Sequence, residues 1–403
     1  MSSFRLSFLV VALGLSLTVA GCRCDNRLVD TYQADAGEPE EVAVPPEVSP
    51  EVPPKTACAV GSVSGRVCAP DKQTWVGGAQ VTLDGPDCNG EAYHSEAASQ
   101  PDGSFELSNI PAGHWTVHAT LGAFSQDYPV DVLAGQSAKI PDDQLCVAQK
   151  TTKIAVVTGA GDRIEQLLGG LNLQYDTFPG DAANWSASAV PFLSDLTRLK
   201  AYDLVFIDCA AAKTSGSSTI DLGPKSAQIK TALHDYVLQG GSLYASDWAL
   251  LFPALAFPGK FAFKLTSGTV ANPLDARKLQ GYAPQTVTAG VASAALAAFL
   301  GKQTVEIAFP HQSGVNSAHW GVFTSPDPTT EVLIQAPQVT LCSASDTSCA
   351  TSGANLNQVP LAVHIKLTAA GTRGGNVVYT SFHNIAQPTN DVSQVLKYIV
   401  LHL

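Results

Sequence analysis

Between Tyr202 and Trp248 the sequence leaves little freedom of fold. Asp203-Leu-Val-Phe-Ile-Asp208 is a short apolar run of strand length bounded by acids, and Ser242-Leu-Tyr-Ala-Ser-Asp247 is a second. Between them Ile229, Ala232, Leu233, Tyr236 and Val237 recur at i, i+3, i+4, i+7 and i+8, which marks one face of a helical period. Gly240-Gly241 follows, where a left-handed residue ends a helix. Strand, helix and strand in this order predict a right-handed βαβ crossover within a parallel sheet.

With 403 residues the chain exceeds one ordinary core, and several domains are expected. Hydrophobic residues make up 45% and charged residues only 14%, the balance of a packed globular protein. A net charge of -12 excludes nucleic acid as a partner, because phosphates require a basic face.

The N-terminus predicts export. Arg5 supplies a positive start, Leu6 to Ala20 is apolar but too short to span a bilayer comfortably, and Val19-Ala20-Gly21-Cys22 closes the run. This box resembles that of bacterial lipoproteins, which implies cleavage after residue 21 and lipidation of Cys22. Arg23 in place of Asp implies an outer-membrane address in the envelope of a Gram-negative bacterium. Residues 22–56 read as an acidic, proline-rich tether, since Val-Pro-Pro-Glu-Val-Ser-Pro-Glu-Val-Pro-Pro (44–54) stays extended and self-repelling.

Residues 57–148 alternate apolar and polar residues without a helical period: Gly61-Ser-Val63-Ser-Gly65-Arg-Val67, Ala79-Gln-Val81-Thr-Leu83, then Asp102-Gly103 leading into Phe105, Leu107, Ile110-Pro-Ala-Gly113, Trp115, Val117 and Ala119. The pattern resembles the carboxypeptidase regulatory-like domain, a β-sandwich of the transthyretin-like and carbohydrate-binding-like group. The resemblance implies a binding module whose ligand is a glycan, a peptide or an envelope protein. Cys58, Cys68, Cys88 and Cys146 fall inside it, and an exported chain favours disulfides over zinc. Of three pairings, 58–146 with 68–88 is expected, because the first and last strands of such a domain often meet.

Residues 149–403 read as an α/β, flavodoxin-like three-layer domain with β-rich insertions. Ile154-Ala-Val-Val157 opens it, followed by Thr158-Gly-Ala-Gly161 and a helical stretch holding Ile164, Leu167, Leu168 and Leu171. Ile164 stands where G-x-G-x-x-G needs its third glycine, so no nicotinamide cofactor is expected, nor any other. A strand at 174–178 and a helix over 190–199 follow, then the central βαβ. Residues 261–345 read as short strands with an Ala-rich helix, and Cys342 with Cys349 as a small disulfide ring. Residues 361–367 and 376–382 predict a hairpin, and Val392, Val395, Leu396, Ile399, Val400 and Leu403 one face of a final helix.

The middle strand pattern and the terminal Gly-Gly-Asn-Val-Val-Tyr-Thr-Ser-Phe-His-Asn (374–384) resemble the class I glutamine amidotransferase-like superfamily, closest to its ThuA-like branches. In that family a nucleophilic Cys sits on a strand-to-helix elbow between glycines. At the matching turn this chain has Tyr244-Ala-Ser246-Asp247-Trp248, without the glycines and with Ser for Cys. The departure predicts binding in place of catalysis. The alternative is a hydrolase in which His383 activates Ser246 with Asp208 or Asp247 behind it.

Ligands of open parallel sheets bind outside the carboxyl ends of the strands. The candidate cleft is therefore Asp162, Asp208, Cys209, Ser246, Asp247, Trp248, His383 and Asn384. Cys209 alone reads as a small buried hydrophobe. His311 and His319 lack a supporting carboxylate, and no metal is expected at either.

Overall fold

The structure, a computed structural model, describes residues 56–159, 161–181, 183–209, 213–214, 220–221, 223–264, 281–310, 321–324, 327–343, 352–367 and 374–403. The expected signal and lipidation box, nearly all of the expected tether, the His311–His319 stretch and Cys349 lie outside these.

Seven strands build the predicted sandwich: β1 (Val60–Arg66), β2 (Gln80–Pro86), β3 (Ala92–Ala98), β4 (Ser104–Pro111), β5 (Gly113–Leu121), β6 (Phe124–Val132) and β7 (Ser137–Lys139). They form two sheets of order β4-β1-β7 and β3-β2-β5-β6. The alternation seen in the sequence is the burial pattern itself: Val63, Val81, Leu83, Phe105, Leu107, Trp115, Val117 and Ala119 all point inward.

The disulfides correct the expected pairing, joining Cys58 to Cys88 and Cys68 to Cys146. Cys88 sits in the β2–β3 turn, held against the entering chain where Asn89 Nδ2 donates to the Thr56 carbonyl at 2.9 Å. The segment leaving the sandwich runs parallel to the one following β1, and Val147 N donates to Cys68 O at 2.8 Å. The ends of the domain do approach, but Cys146 meets the cysteine after β1, not the one before it.

Among the described residues a third sheet has nine strands: β8 (Ile154–Thr158), β9 (Asp176–Pro179), β10 (Leu204–Ile207), β13 (Ser242–Ser246), β14 (Gln285–Val291), β15 (Thr304–Phe309), β16 (Thr330–Cys342), β17 (Ser352–Lys366) and β18 (Asn376–Thr380). A two-residue pair, β11 (Lys213–Thr214) and β12 (Ile220–Asp221), stands outside it. The sheet order is β15-β14-β16-β17-β18-β13-β10-β8-β9. From β9 to β18 all pairings are parallel, and beyond β18 they are antiparallel. The strands expected as insertions thus extend the sheet at its edge.

The helices are α1 (Ile164–Gly170), α2 (Ala189–Leu193), α3 (Leu196–Leu199), α4 (Ser226–Leu238), α5 (Leu251–Ala256), α6 (Ala294–Leu300) and α7 (Asp391–His402). The helix expected over 190–199 is two, because Asp195 accepts from Thr197 N and Arg198 N and caps a new start. Every apolar residue predicted for α4 is buried. Gly241 then passes under the Tyr236 ring, where a Cβ would lie 2.2 Å from it.

Alternate residues of the parallel strands face opposite ways. Ile154, Val156, Leu204, Phe206, Tyr244 and Val378 pack with α1 and α7, while Ala155, Val157, Val205, Ile207, Leu243 and Val377 pack with α2 to α5. The first of these cores is continuous with the sandwich core, and Lys55–Leu403 forms one compact unit. The β5–β6 turn rests on α7, with the Cα of Gly122 (φ +54) so close that a Cβ would lie 2.6 Å from Leu401 O.

Candidate functional site

Four of the five parallel strands deliver polar residues at their carboxyl ends, and these converge. The loop after β8 carries Asp162, β10 ends in Asp208-Cys209, β13 ends in Ser246-Asp247, and the turn after β18 carries His383-Asn384. Asp162, Asp208, Ser246, Asp247 and His383 are buried together with Cys209. Trp248 is half-buried against the α4–α5 core, and Asn384 is half-buried beside the loop after β8.

The Gly159-Ala-Gly161 sequence has a local explanation. Gly161 N donates to Cys209 O at 3.2 Å, and a Cβ on Gly161 would lie 2.7 Å from Cys209 Sγ. The glycine admits close passage of two loops and needs no phosphate to account for it.

Asp162 ties β8 to β18. Its Oδ1 accepts from Arg163 N at 2.9 Å and Asn384 N at 3.0 Å, and Asn384 Nδ2 donates to Arg163 O at 2.7 Å. Burial raises the Asp162 carboxyl above the ordinary value, opposed by the neighbouring Ser246 hydroxyl and these amides. Its Oδ2 is buried without a hydrogen bond of good geometry among the described residues. Asp208 goes further. Both oxygens are buried without a hydrogen bond of good geometry among the described residues, and burial, then the charges of Asp162 and Glu165, push it well above the ordinary carboxylate range.

Glu165 was missed by sequence reasoning. It lies one helical turn after Asp162 on α1 and brings a third carboxyl to Asp208. The i, i+3 spacing of two acids at a helix start was its available signal.

The turn after β13 departs from the expectation. Ser246 is still extended (φ -113, ψ 138), and the residue in left-handed backbone is Asp247, at φ +40. Asp tolerates that region better than most side chains. Asp247 Oδ1 accepts from Gly321 N at 2.9 Å, and Cys209 Sγ donates to Asp247 Oδ2 at 3.3 Å. Burial pushes Asp247 up to about 8.

Ser246 has a different job from the one the alternative reading gave it. Its Oγ accepts from Cys209 N at 2.9 Å, and it neighbours Asp162 and Tyr244. Among the described residues Ser246 makes no hydrogen bond to His383. The structure instead places His383 with Cys209 and Asp247, the ligand atoms of all three lying within 4.8 Å of one another. Burial lowers the His383 imidazole to about 4, so it is neutral at physiological pH. Burial also raises the Cys209 thiol well above its ordinary value, reinforced by Asp247.

No family model and no curated protein matches the chain. Solved structures give loose likenesses. A Pseudomonas aeruginosa protein described as carbohydrate-binding is 13% identical over 24% of this chain and 92% of its own, with a TM-score of 0.18. PurLQS from Thermotoga maritima is 12% identical over 62% of this chain and 98% of its own, with a TM-score of 0.32. The major pilin subunit of Bacillus cereus is 18% identical over 23% of this chain, with a TM-score of 0.18, and this chain spans 31% of that pilin.

Proposed function

We propose that the protein is an exported, lipid-anchored envelope protein that binds a glycan, peptide or partner protein and does not catalyse a reaction. Five parallel strands numbered by chain position run 2-1-3-4-5, which supports reading residues 149–403 as a flavodoxin-like sheet of the amidotransferase-like kind. In enzymes built this way the turn after a central strand displays the nucleophile.

One observation carries the non-catalytic reading. The left-handed position of that turn belongs to Asp247, a buried carboxyl tied to Gly321 N and Cys209. Ser246 lies behind it at 0% exposure, and Cys209 is a buried thiol held protonated. No side chain of this cluster is both nucleophilic and reachable.

Intact-mass analysis of the folded protein after fluorophosphonate and iodoacetamide treatment tests the reading. No adduct is expected on Ser246 or Cys209. A phosphonyl adduct on Ser246 that disappears in His383→Ala would replace this reading with the hydrolase. The anchor is tested separately: Cys22→Ala should leave an uncut, unacylated precursor, and normal processing with unchanged membrane fractionation would remove the lipid from the proposal.

A further inference from the structure

The cluster's donors differ in chemistry and come from three strands. The Cys209 thiol follows β10, the Asp247 carboxyl follows β13 and the His383 imidazole follows β18, all buried and mutually within 4.8 Å. In tetrahedral coordination with bonds of about 2.0–2.3 Å, neighbouring donor atoms stand about 3.5 Å apart. The Cys209 Sγ–Asp247 Oδ2 separation of 3.3 Å already matches such an edge.

A second observation points to a cation independently of these three. Asp208 buries both carboxyl oxygens and Asp162 buries Oδ2, none of them in a hydrogen bond of good geometry among the described residues, with the Glu165 carboxyl and the Ser246 hydroxyl beside them. Asp208 adjoins Cys209 in sequence, and the charge of Asp162 is felt at both Cys209 and Asp247. Among the described residues, Arg163 beside this cluster turns its guanidinium to the carbonyl oxygens of Gly159 and Asp162. Buried carboxyls left without a partner are costly, and coordination or pairing is the usual compensation.

We propose that Cys209, Asp247 and His383 bind one zinc-class divalent cation, with the Asp162 carboxyl as their acidic neighbour. Thiol plus imidazole selects Zn(II) or Co(II) over Mg(II) or Ca(II), which take oxygen donors. Binding exchanges the Cys209 S–H proton and the proton on the Asp247 carboxyl for the metal, and both protons leave to solvent. This inference goes beyond the binding reading above and does not rest on it, since metal stoichiometry and covalent labelling are separate measurements.

The test uses the exported chain purified without chelator and equilibrated with Zn(II) or Co(II). One metal per chain is expected, and the Co(II) form should show a thiolate-to-cobalt charge-transfer band. Cys209→Ser should abolish that band, and Asp162→Asn should weaken affinity about 10- to 100-fold, as loss of an outer partner does. His118→Ala, on the exposed face of the sandwich, should leave stoichiometry unchanged. Wild-type protein that takes up no stoichiometric metal, or that binds Co(II) without a thiolate band, would overturn the proposal. So would undiminished binding in folded Cys209→Ser and His383→Gln. If Cys209→Ser does not fold, the wild-type cobalt spectrum decides alone.

Discussion

Ser246 shows how one side chain reads differently from sequence and from structure. By sequence it is the candidate nucleophile at a strand end. In the structure its Oγ is the acceptor for Cys209 N, a buried backbone donor. Removing one partner of a buried hydrogen bond costs about 1–3 kcal/mol. Ser246→Ala is therefore expected to lower unfolding free energy by about that amount in urea titration. An unchanged midpoint with an unchanged slope would show that the hydroxyl carries no structural load. Asp247 teaches the complementary lesson, since the backbone conformation that makes it the turn residue has no sequence signal beyond Asp's tolerance of positive φ.

At the scale of elements, the α4–β13 junction was legible in full. Its periodic apolar face, its Gly240-Gly241 stop and its parallel continuation all form as read. What sequence could not give is why the second glycine is needed. A Cβ on Gly241 would strike the Tyr236 ring, whose hydroxyl is fixed to Asp203 O and Ser242 O. Gly301, by contrast, ends α6 at φ +66 with open space around it. Gly301→Ala should cost about 1 kcal/mol from backbone strain alone. Gly241→Ala should cost about 2–4 kcal/mol, because a buried aromatic ring must move. Equal losses in chemical denaturation would contradict the steric account.

The terminal helix carries a pH-sensitive contact. His402 stacks on Tyr398 at 3.8 Å, and its Nδ1 donates to Tyr398 O at 2.7 Å. Burial lowers it to about 4, aided by repulsion from His364. The unfolded chain binds this proton near pH 6.5 while the folded chain refuses it until about pH 4. Its contribution is thus full above pH 6.5 and is lost as the pH falls toward 4. A loss of about 1–3 kcal/mol is expected across that window. Thermal melts of His402→Gln over the same range should show a shallower decline, and parallel curves for the two proteins would refute the assignment.

Over the whole molecule, the two disulfides are not equivalent. Cys58–Cys88 spans 30 residues and Cys68–Cys146 spans 78. On the chain-entropy account, closing them stabilises the fold by about 3.6 and about 4.5 kcal/mol. The second also fastens the exit of the sandwich, next to the chain that enters β8. Replacing both cysteines of the 68–146 pair by Ser should therefore lower the melting temperature more than the same change at 58–88. The reverse order would show that anchoring the incoming chain matters more. Because the sandwich core runs on into the α1–α7 side of the sheet, either loss should be felt across residues 55–403.

Period and punctuation fixed the local elements. The two-residue alternation of 57–148, the helical faces of α4 and α7 and the βαβ order follow from covalent geometry and solvent, which act on every residue in the same way wherever it lies. Partners distant in the chain were decided only on folding. The cysteine pairing, the edge extension by β14 to β17, the Gly161–Cys209 approach and the meeting of Cys209, Asp247 and His383 each join residues whose separation carries no periodic trace. Such contacts are set by which strands the sheet places side by side and by how far each loop runs past its strand end. That is why the carboxyl ends of the strands could be named from sequence as the place of the site, while its acids, its imidazole and its thiol acquired their partners only in three dimensions.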